Sequence, residues 1–278
     1  MDAKSRKRFI IIWAVILLII LIGAVLTTDP AQEEEPIRTI MKDAVLHEHS
    51  KVNFLWFGPV NPAVISAYTV TFIIFIFALF VRVFAIPRFK DQPGRFQLLL
   101  EQAVGIFDGL AVSNSPHRHA FLGAYVFTAG TYIFVGTMFE LLGVLVPATN
   151  GGYIALPAPL ADINGAICMG VFSYSVILSG GIAGNGFKGV LNTLKDFSLP
   201  ISMSFRLFGA LLSGALVTEL VYYYMTTSFI IPVFVAVMFT MLHALIQAYV
   251  LTMLTALFYG EVSERHPADQ DTAALNKV

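Results

Sequence analysis

Arg206 stands where an arginine is costly. It lies in an apolar run, residues 197–224, whose other charged residue is Glu219. A charge at the centre of a membrane helix costs about 2.5–3.5 kcal/mol on insertion scales, so its presence needs a reason. Arg206 sits about nine residues into the run, roughly 14 Å at 1.5 Å per residue. It lies deeper still if the helix extends back toward Leu191, as the composition allows. A guanidinium stays protonated under any protein condition. Its chemistry is therefore electrostatic: a fixed cation favours the ionised form of a carboxyl group brought close and repels a mobile cation. Gly209, Ala210, Ser213 and Gly214 follow it, small residues that let another helix approach closely. The plainer alternative is a structural arginine paired with a carboxylate of its own bundle.

The next apolar run, 229–260, contains His243 and Gln247, one helical turn apart and so on one face. Together with Glu219 on the neighbouring antiparallel helix they can form a polar track toward the external side. Glu140 and Asp162 sit near the outer ends of two earlier runs. They are either interfacial or part of a water-filled access path. Arg82, near the inner end of its run, can snorkel to the headgroups. The single cysteine, Cys168, excludes an intrachain disulfide and reads as a small buried hydrophobe. No cysteine spacing suits a metal, His47-Glu48-His49 lacks the i,i+4 histidine pair of a zinc protease, and no cofactor is implied.

The elements that must hold these residues are membrane helices. Of 278 residues 57% are hydrophobic and 13% charged, against about a quarter charged in soluble domains; mean hydropathy is +0.76. The net charge of −1 argues against nucleic acid as a partner. Six runs are long enough to span a bilayer: 9–27, 64–86, 120–147, 161–184, 197–224 and 229–260. Lipid leaves helix as the sensible conformation for them. The predicted fold class is an all-α membrane protein with five or six transmembrane helices, ending in a long, tilted antiparallel pair. Two further stretches, 37–55 and 96–112, are half apolar, and either lie flat on the membrane or pack against the bundle. Gly180-Gly181 reads as a helix terminator.

Three parts are expected: a basic-hydrophobic segment 1–28, either transmembrane helix or signal peptide; an external segment 29–62 with an amphipathic helix; and a membrane domain 63–278, whose helices 191–224 and 229–260 carry the site. Basic residues in the loops orient it. Lys4, Arg6, Lys7, Arg8, Arg88, Lys90, Arg95, Arg118, Lys188, Lys195, Arg265 and Lys277 share one side if every run crosses once, so that side, with the C-terminus, is cytoplasmic.

Two stretches are specific in combination: P-I-S-M-S-F-R-L-F-G at 200–209 and L-I-Q-A-Y-V-L-T-M-L at 245–254. They resemble subunit a of the F-type ATP synthases, with weaker support from P-G-R-F-Q (93–97), M-F-E-L-L (138–142) and A-D-I-N (161–164) in the same order. The resemblance implies a stator subunit in the bacterial inner membrane, not catalytic by itself, working against a rotor ring of small membrane subunits and held by peripheral-stalk subunits and lipid. It implies that Arg206 is the essential ring-facing charge, that Gln247 lies opposite it, and that Asp162 and Asn164 form a polar pair near the external path. Glu140, Glu219 and His243 complete the expected ion path. The chain departs from the family pattern at Ala210, usually asparagine, and at Ala215, commonly acidic; Glu219, one turn further, is the candidate replacement. His243 is displaced by three residues from the usual position.

Two other classes compete. A secondary transporter or channel acting alone often shows internal repeats and a midplane site on broken helices, and no repeat is evident. An intramembrane hydrolase needs a nucleophile–base pair or metal ligands, and neither is present in a recognisable pattern.

Overall fold

The computed structural model describes residues 13–15, 18, 51–53, 58–149, 151–223 and 231–264. Six helices among them are long and apolar enough to cross a membrane. Helix α1 (Pro62–Phe80) continues through a π-helical turn, Val81–Ala85, and a 3-10 turn, Ile86–Arg88. The others are α2 (Arg95–Asn114), α3 (His119–Glu140), α4 (Ile163–Lys195), α5 (Ser198–Tyr223) and α6 (Ile231–Ser263). Apart from Trp13–Val15 and Leu18, which are helical, the expected first span lies outside the described residues.

Most of the expected amphipathic helix at 37–55 also lies outside them. Its described end is not helical: β1 (Val52–Asn53) pairs antiparallel with β2 (Pro59–Val60). The other such stretch, 96–112, is α2 and packs against the bundle, with Ala111 fully buried and Phe107 edge-on to Phe127 at 5.8 Å.

Two expected boundaries change. The run 120–147 is helical only to Glu140, because Gly143 takes φ 56° and turns the chain, a left-handed conformation that costs glycine little. A hairpin follows, β3 (Leu145–Pro147) against β4 (Tyr153–Ala155). Gly180-Gly181 does not end α4. Both are buried, and a Cβ on Gly180 would lie 2.7 Å from the Tyr259 ring. The break comes at Gly186 (φ 58°, ψ −137°), beyond which the chain folds back so that the Tyr174 hydroxyl donates to the Thr193 carbonyl at 2.9 Å. The missing side chain at 181 makes room for this return, since a Cβ there would meet Thr193 Oγ1 at 2.6 Å. Cys168 is exposed on α4 rather than buried.

α6 is the central element, packed on α3, α4 and α5. The main core joins Ile133, Ala166, Ile177, Leu207, Leu211 and Leu251 from these four helices. A second cluster, around Ala111, Val126, Ala256 and Tyr259, fastens α2 and α3 to α6. Apolar membrane helices still carry hydroxyls, and lipid offers these no partner. Thr137, Thr252 and Thr255 return theirs to the carbonyl four residues back, at 2.7, 2.6 and 2.9 Å.

Candidate functional site

Helices α5 and α6 position the polar residues that their sequences carry. Along α5, Met203, Leu207 and Leu211 turn inward and are almost fully buried. The helical period then sends Ser202, Phe205, Arg206, Gly209 and Ser213 outward, and all five are exposed. Arg206 therefore lies on the outside of the bundle, flanked by Phe205 at 63% exposure. Among the described residues its guanidinium makes no ion pair with a carboxylate. Gly209, one turn on, is open: a Cβ there would have nothing within 4 Å.

Behind this face, α6 runs antiparallel. Gln247 is 5% exposed and its Nε2 donates to the Arg206 carbonyl oxygen at 3.4 Å, a long and therefore weak bond. One turn away, the half-buried His243 stacks at a tilt against Phe239, 5.9 Å between centroids. Gly214 faces it, and an added Cβ would lie 3.3 Å from His243 Nδ1. The structure thus brings Arg206, Gln247, His243 and Gly214 together at one helix crossing. The small residues after Arg206 divide: Gly209 and Ser213 face outward, Gly214 faces α6. The Glu219 side chain lies outside what the structure describes, although its backbone belongs to α5.

The remaining expected residues gather at another level. Asp162 caps α4, accepting from the Asn164 and Gly165 amides at 2.8 and 3.3 Å. Its other oxygen accepts from Asn61 Nδ2 at 2.7 Å. Asn61 in turn caps α1 through the Ala63 amide at 2.9 Å. The two helix starts are tied by their own capping side chains, which satisfies orphan N–H groups and sets a carboxylate at the positive end of α4. Asn164 is exposed beside this cap. Glu140 ends α3 half-buried, one turn after Gly136, which packs on Pro159; Glu140, Asp162 and Asn164 thus share one end of the bundle. The sequence reading passed over Asn61, although asparagine directly before proline is a helix-start signal.

Such a bundle of apolar helices, with a permanent cation on its outer face and a buried amide and a half-buried imidazole behind it, defines an integral membrane protein. The sequence model of the family described as ATP synthase A chain matches residues 64–260, and the chain belongs to that family. ATP synthase subunit a of Glaesserella parasuis serovar 5 (strain SH0165) is 26% identical over 197 residues, covering 60% of this chain and 75% of that one. ATP synthase subunit a of Histophilus somni (strain 129Pt) is 27% identical over 200 residues, with the same coverage of 60% and 75%. The chain is a component of an F-type ATP synthase, a multi-pass membrane protein that assembles with other subunits of that complex.

Proposed function

We propose that this chain is the ion-translocating stator subunit of its ATP synthase, with Arg206 as the charge that faces the carboxyl groups of a rotor ring. The observation that carries the reading is the exposed position of Arg206 on α5, beside the uncovered Gly209 and without a carboxylate partner among the described residues. A structural arginine would point inward to a bundle acid.

The ring carboxyl group must be neutral while it faces lipid, because an ionised carboxylate there is strongly disfavoured. Beside Arg206 the ionised form is favoured by opposite charge, so the group releases its ion there. Two access paths reach the ring, one on each side of the arginine. An ion enters by one path, is carried round through lipid, and leaves by the other. The same guanidinium repels a cation crossing directly between the paths. Glu219, His243 and Gln247 line the external path near the arginine, while Asp162, Asn164 and Glu140 border its mouth. The membrane domain is 63–278, a peripheral stalk holds it against the ring, and the basic loops place the C-terminus in the cytoplasm.

The test is ATP-driven ion pumping in vesicles. Arg206→Ala is expected to assemble normally and pump nothing; pumping at the wild-type rate overturns the assignment. Glu219→Gln tests the replacement carboxylate, which is refuted if coupled synthesis is undiminished.

A further inference from the structure

The linker between α1 and α2 forms an open cavity of about 690 Å³. Phe80, Phe84 and Phe96 supply apolar wall, and Arg88 and Lys90 supply positive charge. The linker is held in shape. Gln97 Nε2 donates to the Lys90 carbonyl at 3.0 Å, and its Oε1 accepts from the Lys90 amide at 3.1 Å. The Phe80 and Phe84 rings pack at 5.4 Å between centroids. Arg82 and Arg95 flank the lining residues in sequence, and the nearby acids are Asp91 and Glu101, which accepts from Gln97 Nε2 at 2.7 Å, so the neighbourhood is still net positive.

Its depth follows from helix geometry. From Pro62 at 1.5 Å per residue, Arg82 is about 30 Å along the helix and Arg88 about 39 Å. A bilayer's hydrocarbon core is about 30 Å thick. If α1 starts at the outer boundary, its phenylalanines end at the inner edge of the hydrocarbon, and Arg88 and Lys90 stand among the headgroups. An occupant must then be apolar at one end and anionic at the other. Basic pockets at helix ends on the cytoplasmic face have that preference.

We infer that the α1–α2 linker is a binding site for an anionic phospholipid, with the phosphate held by Arg88 and Lys90 and an acyl chain against Phe80, Phe84 and Phe96. The site uses the orientation proposed above but none of the residues assigned to ion transfer. Bound lipid would fasten the base of α1 to α2 independently of the Arg206 crossing.

A local reporter tests it. With Trp13→Phe and Trp56→Phe removing the two native tryptophans, Phe84→Trp places one fluorophore in the cavity wall. The full chain is reconstituted in vesicles, and quenching by brominated phosphatidylglycerol is compared with that by brominated phosphatidylcholine. A preference for the anionic lipid of about thirtyfold is expected, at roughly 1 kcal/mol for each of the two basic residues. Arg88→Gln with Lys90→Gln should abolish the preference, and Arg88→Lys with Lys90→Arg should keep it. Equal quenching by the two lipids, or a preference untouched by the glutamine pair, overturns the proposal. Loss of the preference in 10 mM inorganic phosphate assigns the pocket to a free anion instead. Loss of quenching by both lipids on adding partner subunits assigns it to a protein contact. Arg206→Ala must leave the lipid preference intact, which separates a failure here from a failure of the stator reading.

Discussion

Glycines along the inner seams of the bundle and the glycine beside Arg206 meet opposite surroundings. Inside, Gly130 receives the Phe107 ring, Gly170 the Ser204 hydroxyl, Gly180 the Tyr259 ring and Gly260 the Asn114 carbonyl. Each absent side chain is replaced by a group of the same chain. On the outer stripe of α5, Gly209 meets nothing within 4 Å among the described residues, and it stands one turn from the exposed Arg206. Small residues in membrane helices permit close approach; the structure separates approach by the chain's own helices from approach by something else. The first kind contributes to stability; under the proposed function, the second leaves space for another subunit.

The largest effect is expected where a seam is filled. At Gly260 a new side chain would meet the Asn114 backbone carbonyl, which cannot rotate away. Gly260→Val should cost about 3 kcal/mol or more, the upper range for overpacking. Immunoblots of membranes should show little or no accumulated subunit. Normal accumulation would mean that α2 and α6 are free to separate, and the contrast between seam and stripe would lose its basis.

Gly209→Leu probes the other side. Nothing among the described residues opposes the added side chain, and leucine favours helix over glycine by roughly 0.8 kcal/mol. The subunit should accumulate as the wild type does, while ATP-driven pumping falls at least about tenfold, because a leucine there blocks the approach to Arg206. Equal pumping would show that no partner comes near this stripe.

Much of this arrangement was legible in the sequence, and the exceptions have physical causes. Apolar length alone located α1, α4, α5 and α6, since lipid admits few alternatives to helix. The cost of a membrane charge singled out Arg206. The orientation of each small residue was not legible, because Gly209 and Gly214 differ only in their angle about the helix axis, and the position of α6 decides which is covered. Gly180-Gly181 misled for the same reason, as their packing against Tyr259 and Thr193 depends on contacts far along the chain. The link between Asn61 and Asp162 joins residues 101 apart. Each was recognisable as a helix cap, but their pairing required the fold. Gly143 and Gly186 resembled other glycines until their positive φ angles marked them as the turns.

Gln247 lies between the two regions, buried in the seam but bonded to the backbone of the charged residue. Its hydrogen bond is long at 3.4 Å, so Gln247→Leu, close in size, should change stability by less than about 1 kcal/mol. Pumping should fall several-fold, because the mutation removes a polar side chain from behind Arg206. Thermal melting of the purified complex and proton uptake measured on the same preparation separate the two effects. Unchanged pumping would remove Gln247 from the path and leave it a packing residue.

The smallest effect is expected at Gly214, where the distinction between seam and stripe is finest. An alanine Cβ would lie 3.3 Å from His243 Nδ1, tighter than most real contacts. The imidazole is half-buried and has room to yield by a few tenths of an ångström. Alanine also favours the helix by about 0.8–1.0 kcal/mol over glycine, which offsets the crowding. Gly214→Ala should therefore accumulate normally, and if His243 belongs to the ion path, its displacement should slow pumping by roughly twofold, against a helix gain of about 1 kcal/mol. Wild-type pumping would show that the position of the ring is immaterial to ion transfer. Failure to accumulate would place Gly214 with Gly180 and Gly260, among the glycines whose space the bundle itself requires.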